Sequence, residues 1–364
     1  MRLSAWRIIP KIFEYKLFRR FGFPLLLPLN LTISVTNRCN LRCKMCNVWK
    51  KEVKEFSFDE FNKTFKSISK SPYWVTISGG EPFLRGDLDK ICESIYENLS
   101  PQILNIATNG MLYNSIPQVV EKIVQSSPRM EVILNLSLDG VGDKHNKIRN
   151  NKDSFNFALR TYQHLRELSY PNFTLGIGTV ISKFNLGDFE DILDLIEELR
   201  PDSFVCEIAE ERVELGTVGE DIAPSPEEYK RVLGLLSSRI KRKKFSGISR
   251  LTQALRLVYY DLSKEIILKK KQVIPCYAGF SSAQITPSGE VWACCVKAFS
   301  LGDLMKVDYD FKKVWFSEEA ELIRKKIKEK VCYCPLANAS YTNMLCDFKS
   351  LFKVGREFIF INQI

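Results

Sequence analysis

Cys39, Cys43 and Cys46 fall in the stretch Thr36-Asn-Arg-Cys-Asn-Leu-Arg-Cys-Lys-Met-Cys-Asn, spaced C-x3-C-x2-C directly after the apolar run Leu31 to Val35. A structural zinc site closes with four donors, and no histidine lies near to add one. Three thiols therefore suit a centre that keeps one coordination position open, and an iron-sulfur cluster with one unclaimed iron fits that requirement. A zinc knuckle completed by a distant fourth thiol is the alternative reading of the same spacing.

Between residues 31 and 208, β-rich runs alternate with helical patterns. The runs are Leu31 to Thr36, Trp74 to Ser78, Ile103 to Thr108, Val132 to Leu138, Phe173 to Ile181 and Ser203 to Ile208, with helices expected near 58–69, 87–98, 115–126, 154–168 and 187–199. Such alternation predicts a parallel sheet with helical crossovers, open or closed into a barrel. Six units without a switch-point signature favour an α/β fold built on a partial (β/α)6, TIM-like barrel. The unusual residues all fall in loops after strand ends, where such a barrel gathers its site. These loops hold Ser78-Gly79-Gly80-Glu81-Pro82, Thr108-Asn109-Gly110 and Ser137-Leu138-Asp139-Gly140. The paired glycines permit close backbone approach and leave strand-edge amides free for a ligand. Ordinary turn chemistry would account for Asn-Gly and Asp-Gly.

The thiol loop, with bulky Met45 before its third cysteine, and the Gly-Gly-Glu-Pro run one βα unit later together resemble the radical S-adenosylmethionine (radical SAM) superfamily. Many members carry an aromatic residue where Met45 stands. The resemblance implies that Cys39, Cys43 and Cys46 hold a 4Fe-4S cluster whose free iron is chelated by S-adenosylmethionine. Gly79, Gly80, Glu81 and Pro82 would then attend the methionine amino group, Met45 the adenine, and Asn109, Ser137 and Asp139 the ribose and carboxylate. Arg149 would meet the carboxylate with its fork of donors, unless it forms a plain salt bridge. Reductive cleavage of S-adenosylmethionine to a 5'-deoxyadenosyl radical, able to take hydrogen from an unactivated carbon, is the implied chemistry. No acid or base for that chemistry is assigned.

Cys276-Tyr-Ala-Gly opens a second region, in which Gln284 to Thr286 and Glu290 to Ala293 read as a hairpin around Pro287-Ser-Gly289 that brings Cys276 and Cys294 together. This resembles the SPASM domain or its shortened form, twitch, and implies a smaller C-terminal α+β domain with an auxiliary 4Fe-4S cluster. Six cysteines follow residue 270, fewer than two extra clusters need, so one is expected. Cys276, Cys294, Cys332 and Cys334 are the expected ligands, with Cys295 or Cys346 as substitutes and a four-thiol zinc site as the alternative. Cys92 and Cys206 read as buried thiols.

The expected division is an N-terminal basic amphipathic segment over 1–30, the barrel over 31–208, a linker and helices over 209–274, the auxiliary domain over 275–348 and a tail over 349–364. No apolar run nears eighteen residues, and the basic residues scattered through 1–23 are unlike a secretory signal. A cytoplasmic protein follows, whose reducing surroundings make the eleven cysteines metal ligands rather than disulfides. Trp6, Ile9, Phe13 and Leu17 recur at helical spacing beside cations in 1–23, so this segment either touches a membrane surface or packs on the barrel. The net charge of +10 gathers at 241–244 and 269–271, which read as solvated faces.

The leading expectation is an oxidoreductase or carbon-modifying enzyme acting on a small-molecule, carbohydrate or lipid-linked substrate of unknown identity, fed by an external donor such as flavodoxin or ferredoxin. A peptide or protein maturase is the alternative, weighed down by the roughly thirty residues before the barrel, too few for a leader-binding domain. A zinc-stabilised nucleic-acid-binding protein is a third reading, and nucleic acid is not the expected partner.

Overall fold

The computed structural model describes residues 8–245 and 247–361, and side chains from residue 10 onward except that of residue 248. Its opening helix, α1 (Ile8–Phe21), leads to β1 (Asn30–Thr36), from which a βα series runs through α2 (Phe58–Ile68), β2 (Trp74–Gly79), α3 (Leu88–Asn98), β3 (Ile103–Thr108) and α4 (Ile116–Ser126). The series continues with β4 (Glu131–Ser137), α5 (Asp143–Arg149), α6 (Ser154–Arg166), β5 (Phe173–Ile181), α7 (Phe189–Leu199) and β6 (Ser203–Ile208). All five strand pairings in this series are parallel, in the order β6-β5-β4-β3-β2-β1. In β1 the side chains of Leu31, Ile33 and Val35 on one face and of Ser34 and Thr36 on the other are all buried, as a strand covered on both faces requires.

Curvature follows from contacts between the outermost strands' loops. A flat array of six strands would hold the ends of β1 and β6 roughly 24 Å apart. Instead the Asn47 amide, beyond β1, donates to the Leu215 carbonyl, beyond β6, at 2.8 Å. Residues at or just beyond the six strand ends, Cys39, Gly80, Asn109, Ser137, Val180 and Glu207, also line one cavity, so the sheet is the expected partial (β/α)6 barrel with its strand ends gathered at one mouth.

Two helices, α8 (Pro226–Lys241) and α9 (Gly247–Lys269), precede a second group of strands, β7 (Ser282–Ile285), β8 (Glu290–Trp292) and β9 (Ser300–Asp303). The expected hairpin is present, with β7 and β8 antiparallel around Gly289 at φ +90°. A Cβ on Gly289 would lie 2.0 Å from the Phe56 ring, which leaves room only for glycine. Less expected is that β7 also pairs in parallel with β1, from Asn30 opposite Ser282 to Ile33 opposite Ile285. The second region thus extends the barrel's own sheet to nine strands.

The chain closes with α10 (Phe311–Trp315), α11 (Glu318–Lys328), α12 (Ala337–Leu345) and α13 (Phe348–Phe360). The expected tail from 349 onward is instead most of a helix, packed along α9. Nor is the stretch after residue 208 a free linker: Ala209, Thr217 and Ile222 are buried, and it is hydrogen-bonded to both cysteine regions. Among the described residues, no helix is long and apolar enough to cross a membrane.

Helix α1 has two apolar faces. Ile12, Tyr15 and Phe18 pack against Tyr277, Phe280 and Cys346, whereas Phe13 and Leu17, from the stripe read in the sequence, face solvent. Trp6 and the side chain of Ile9 lie outside the described residues.

Candidate functional site

The loop after β1 carries Cys39, Cys43 and Cys46 into the barrel mouth, where all three line one cavity with Met45, Gly80, Asn109, Ser137, Asp139 and Arg149. All three thiols are free of disulfides and half-buried. The loop is pinned at its far side, where Asn47 donates to Leu215 and Lys51 Nζ donates to the Val213 and Glu214 carbonyls at 2.7 and 2.8 Å. Burial pushes the Cys46 thiol up to about 12 and raises Cys39 as well, so a cation bound there would release protons on loading.

Gly79 and Gly80 bring the β2 turn against the chain entering this loop. The Gly80 amide donates to Thr36 O at 2.7 Å and the Glu81 amide to Arg38 O at 2.8 Å. A Cβ would lie 2.2 Å from Thr36 O at Gly79 and 2.1 Å from Arg38 O at Gly80, and Gly79 has φ +129°. These two amides, expected to be free for a ligand, are used within the protein. Of the run, Gly80 lines the cavity. The Glu81 carboxylate turns into the protein, accepting from Thr108 Oγ1 at 2.9 Å, Asn109 N at 2.8 Å and Phe83 N at 3.2 Å. Burial pushes it up to about 7, against the pull of those amide bonds. Pro82 opens a one-turn 3-10 helix, Pro82–Leu84.

Beyond β3, Asn109 Nδ2 donates to Asn40 Oδ1 at 2.8 Å and comes within 3.8 Å of Cys39 Sγ. Beyond β4, the fully buried Asp139 accepts from Val180 N at 2.8 Å and pairs with Arg149 at 2.6 Å. Arg149 therefore has a carboxylate inside the protein, while its Nη1 lies 3.8 Å from Cys43 Sγ and its buried Nε has no partner. Burial opposes its charge, but Asp139 and Cys43 outweigh that and hold the guanidinium firmly protonated. His145 accepts from the Asp139 amide at 3.1 Å; burial, with Arg149 nearby, lowers it to about 3 and keeps it neutral.

The cavity wall also holds residues that sequence reasoning passed over. Glu207, Glu210 and Arg212, at and just beyond the end of β6, line the cavity, with Arg212 Nη2 at 3.5 Å from Glu207 and 3.4 Å from Glu210. Burial pushes Glu210 up to about 7 despite Arg212. The Arg212 Nε is also buried without a partner. The strand-end rule that picked out the other loops reaches these residues too, once the barrel's last loop is taken to continue past residue 208.

In the second region the four expected cysteines share a neighbourhood. Beyond the dominant effect of burial, Cys276 is raised by Cys294 and Cys332, and Cys334 by Glu210, Cys276 and Cys294. Cys295 faces Glu214 and Arg212, while Cys346 sits beside α1, near Lys16 and Arg19. Cys92 and Cys206 are fully buried, as read.

Among the described residues, no three histidine, cysteine or acidic donors converge closely enough to grip a single ion. The primary trio instead borders a cavity with two unpartnered arginine Nε atoms in its walls, a setting that fits a larger thiolate-held group with a polar ligand.

Comparison with known proteins agrees with this geometry. Residues 33–196 match the radical SAM superfamily, and residues 276–335 match the SPASM iron-sulfur cluster-binding domain. The antilisterial bacteriocin subtilosin biosynthesis protein AlbA of Bacillus subtilis is 24% identical over 328 residues, covering 86% of this chain and 66% of AlbA. Mycofactocin maturase MftC of Mycolicibacterium smegmatis is 24% identical over 328 residues, covering 85% of this chain and 75% of MftC. Streptococcus suis SuiB bound to S-adenosylmethionine has the same fold, with a TM-score of 0.61 at 17% identity over 88% of this chain and 72% of SuiB. SuiB bound to its precursor peptide SuiA matches with a TM-score of 0.58 at 16% identity, over 95% of this chain and 77% of SuiB. These matches leave the zinc-stabilised nucleic-acid reading without support. The chain thus carries a radical SAM domain over residues 33–196 and a SPASM domain over residues 276–335, the make-up of an enzyme whose cofactors are a 4Fe-4S cluster, S-adenosylmethionine and an auxiliary cluster.

Proposed function

We propose that this enzyme modifies a peptide or protein, as a radical SAM maturase. The observation that carries the reading is the extent of the likeness. AlbA and MftC, a bacteriocin biosynthesis protein and a maturase by name, align with this chain across 86% and 85% of its length. The small-molecule substrate expected first from the sequence gives way to this alternative.

In this reading Cys39, Cys43 and Cys46 hold the primary cluster, and Cys276, Cys294, Cys332 and Cys334 the auxiliary one. When bound, the primary cluster and S-adenosylmethionine supply one-electron chemistry able to take hydrogen from an unactivated carbon. The protein's task is to orient and to exclude water. Met45 and Ile222, packed together, give the cavity an apolar wall. Gly80, Asn109, Ser137 and Asp139 line the cofactor side, and Arg149, held by Asp139, keeps positive charge beside Cys43. Gly79, Glu81 and Pro82 fix the turn behind them. Glu207, Glu210 and Arg212 face the cavity from β6, where they would hold a polar group of the substrate backbone or side chain. A flavodoxin or ferredoxin supplies the electron.

The test uses anaerobically reconstituted protein with S-adenosylmethionine, dithionite and synthetic peptides encoded beside its gene. The expected result is 5'-deoxyadenosine formed with a peptide that has lost hydrogens, read by mass spectrometry. Turnover coupled only to small-molecule substrates would overturn the peptide reading while leaving the radical chemistry intact.

A further inference from the structure

We propose that the outward faces of α1 and α13 form one surface that docks this enzyme onto an anionic lipid membrane. The two helices meet at Phe13 and Phe348, whose ring centroids are 5.9 Å apart. From that junction an apolar stripe runs along α1 through Leu17 to Phe21, and another along α13 to Phe352. Each is set by i, i+4 spacing. Phe21 is 68% exposed and Phe352 77% exposed. Beyond α1 the stripe continues into exposed Phe23 and Leu25. Seven large apolar groups are thus exposed on and beside these two helices, and contiguous exposed apolar surface marks interaction sites.

Charge identifies the occupant. Helix α1 offers Lys11, Lys16 and Arg20 against Glu14, with Arg19 turned to the Cys276 carbonyl, and α13 carries Lys349, Lys353 and Arg356 against Glu357. The cations sit among the rings: Lys16 Nζ lies 3.3 Å from the Phe348 centroid, and the Arg20 guanidinium 5.2 Å from that of Phe21. Aromatic and leucine side chains interleaved with lysine and arginine suit the boundary between acyl chains and anionic headgroups, where the rings enter and the cations stay level with phosphate. A second copy of this chain would bring the same cations face to face.

The surface is also firmly anchored. The opposite face of α1 is committed to Tyr277 and Phe280, and Arg19 Nε donates to the Cys276 carbonyl at 2.9 Å. Docking therefore needs no unfolding, and a membrane-bound enzyme would keep its orientation.

The test is vesicle co-sedimentation of the full chain, with vesicles of phosphatidylcholine alone or mixed with phosphatidylglycerol, at low and high salt. The full chain should pellet with the mixed vesicles, at least tenfold more weakly with phosphatidylcholine alone, and less as salt rises. Leu17→Glu with Phe352→Glu should lower binding at least tenfold. Lys349→Glu with Lys353→Glu, which leaves the apolar groups in place, should remove the preference for the anionic lipid. Overturning results would be no pelleting, equal binding to both vesicle types, unchanged binding by the apolar variant, or a chain that self-associates and ignores vesicles.

Discussion

The Arg149 guanidinium lies 2.6 Å from the Asp139 carboxylate and 3.8 Å from the Cys43 thiol, so one buried cation joins the end of β4 to the loop that carries the three cysteines. Removing either charged partner strands the other in the interior. Asp139→Asn or Arg149→Met should each cost about 3–5 kcal/mol. The Asp139→Asn/Arg149→Met double variant should cost clearly less than the sum of these two single changes. Urea unfolding of the four proteins closes the cycle; additive losses would mean that the pair does not act as a unit.

Gly80→Ala tests the packing of the β2 turn on the thiol loop. Its Cβ would lie 2.1 Å from Arg38 O, a backbone atom that cannot swing aside. The loop must shift, and iron at the primary centre should fall while the auxiliary cluster stays, leaving about four of about eight irons per chain. Gly86→Ala, with nothing within 4 Å of its Cβ, should be neutral. Iron analysis after anaerobic purification reads both.

The cysteines should separate by centre. Cys43→Ala should abolish 5'-deoxyadenosine formation in dithionite and keep the auxiliary cluster. Cys334→Ala should lose auxiliary iron. Cys346→Ala should keep it, because that side chain belongs to the apolar cluster of Tyr15 and Phe18. Persistent cofactor cleavage by the Cys43 variant would mean that the ligand set is wrong.

Glu81 makes stability depend on pH. Its carboxyl rises from 4.5 to about 7 on folding, mainly through burial. A raised carboxyl is least costly when protonated, so its contribution is full below about pH 4.5, declines as pH rises to about 7, and changes no further above that, by a few kcal/mol in all. Glu81→Gln removes this slope but sets an amide NH2 against the donors of Thr108, Asn109 and Phe83, which should cost about 1–3 kcal/mol. The variant should be clearly weaker at pH 5, with the gap narrowing by pH 7.5 in denaturant titrations.

The barrel was legible because its signals are local. All six strands and the five crossover helices expected between them fall within about two residues of their expected bounds, as apolar runs and turn residues mark each one. The pairing of β7 with β1 was not legible, since four residues of β7 carry no mark of a partner about 250 positions away. Glu207, Glu210 and Arg212 stayed hidden because acidic and glycine-rich sequence after a last strand looks like a connector, and only closure of the barrel turns it inward. The roles assigned to Glu81 and Arg149 met the same difficulty. Composition showed a carboxylate and a guanidinium at strand ends, but not that each would find its partner inside the protein.

Because β7 completes the edge of β1, the SPASM region is no detachable module. A chain cut between α9 and Cys276 would leave the backbone of β1 without a neighbour on that side, next to the loop that carries Cys39. The Glu214 amide, bonded at 3.2 Å to the carbonyl of Cys295, would lose its acceptor in the same cut. Exchanging C-terminal regions between relatives to change specificity should therefore fail unless the donor also supplies a strand in register with Asn30–Ile33. In this enzyme the unit of inheritance is the nine-stranded sheet, and its two cysteine centres must be transplanted together or not at all.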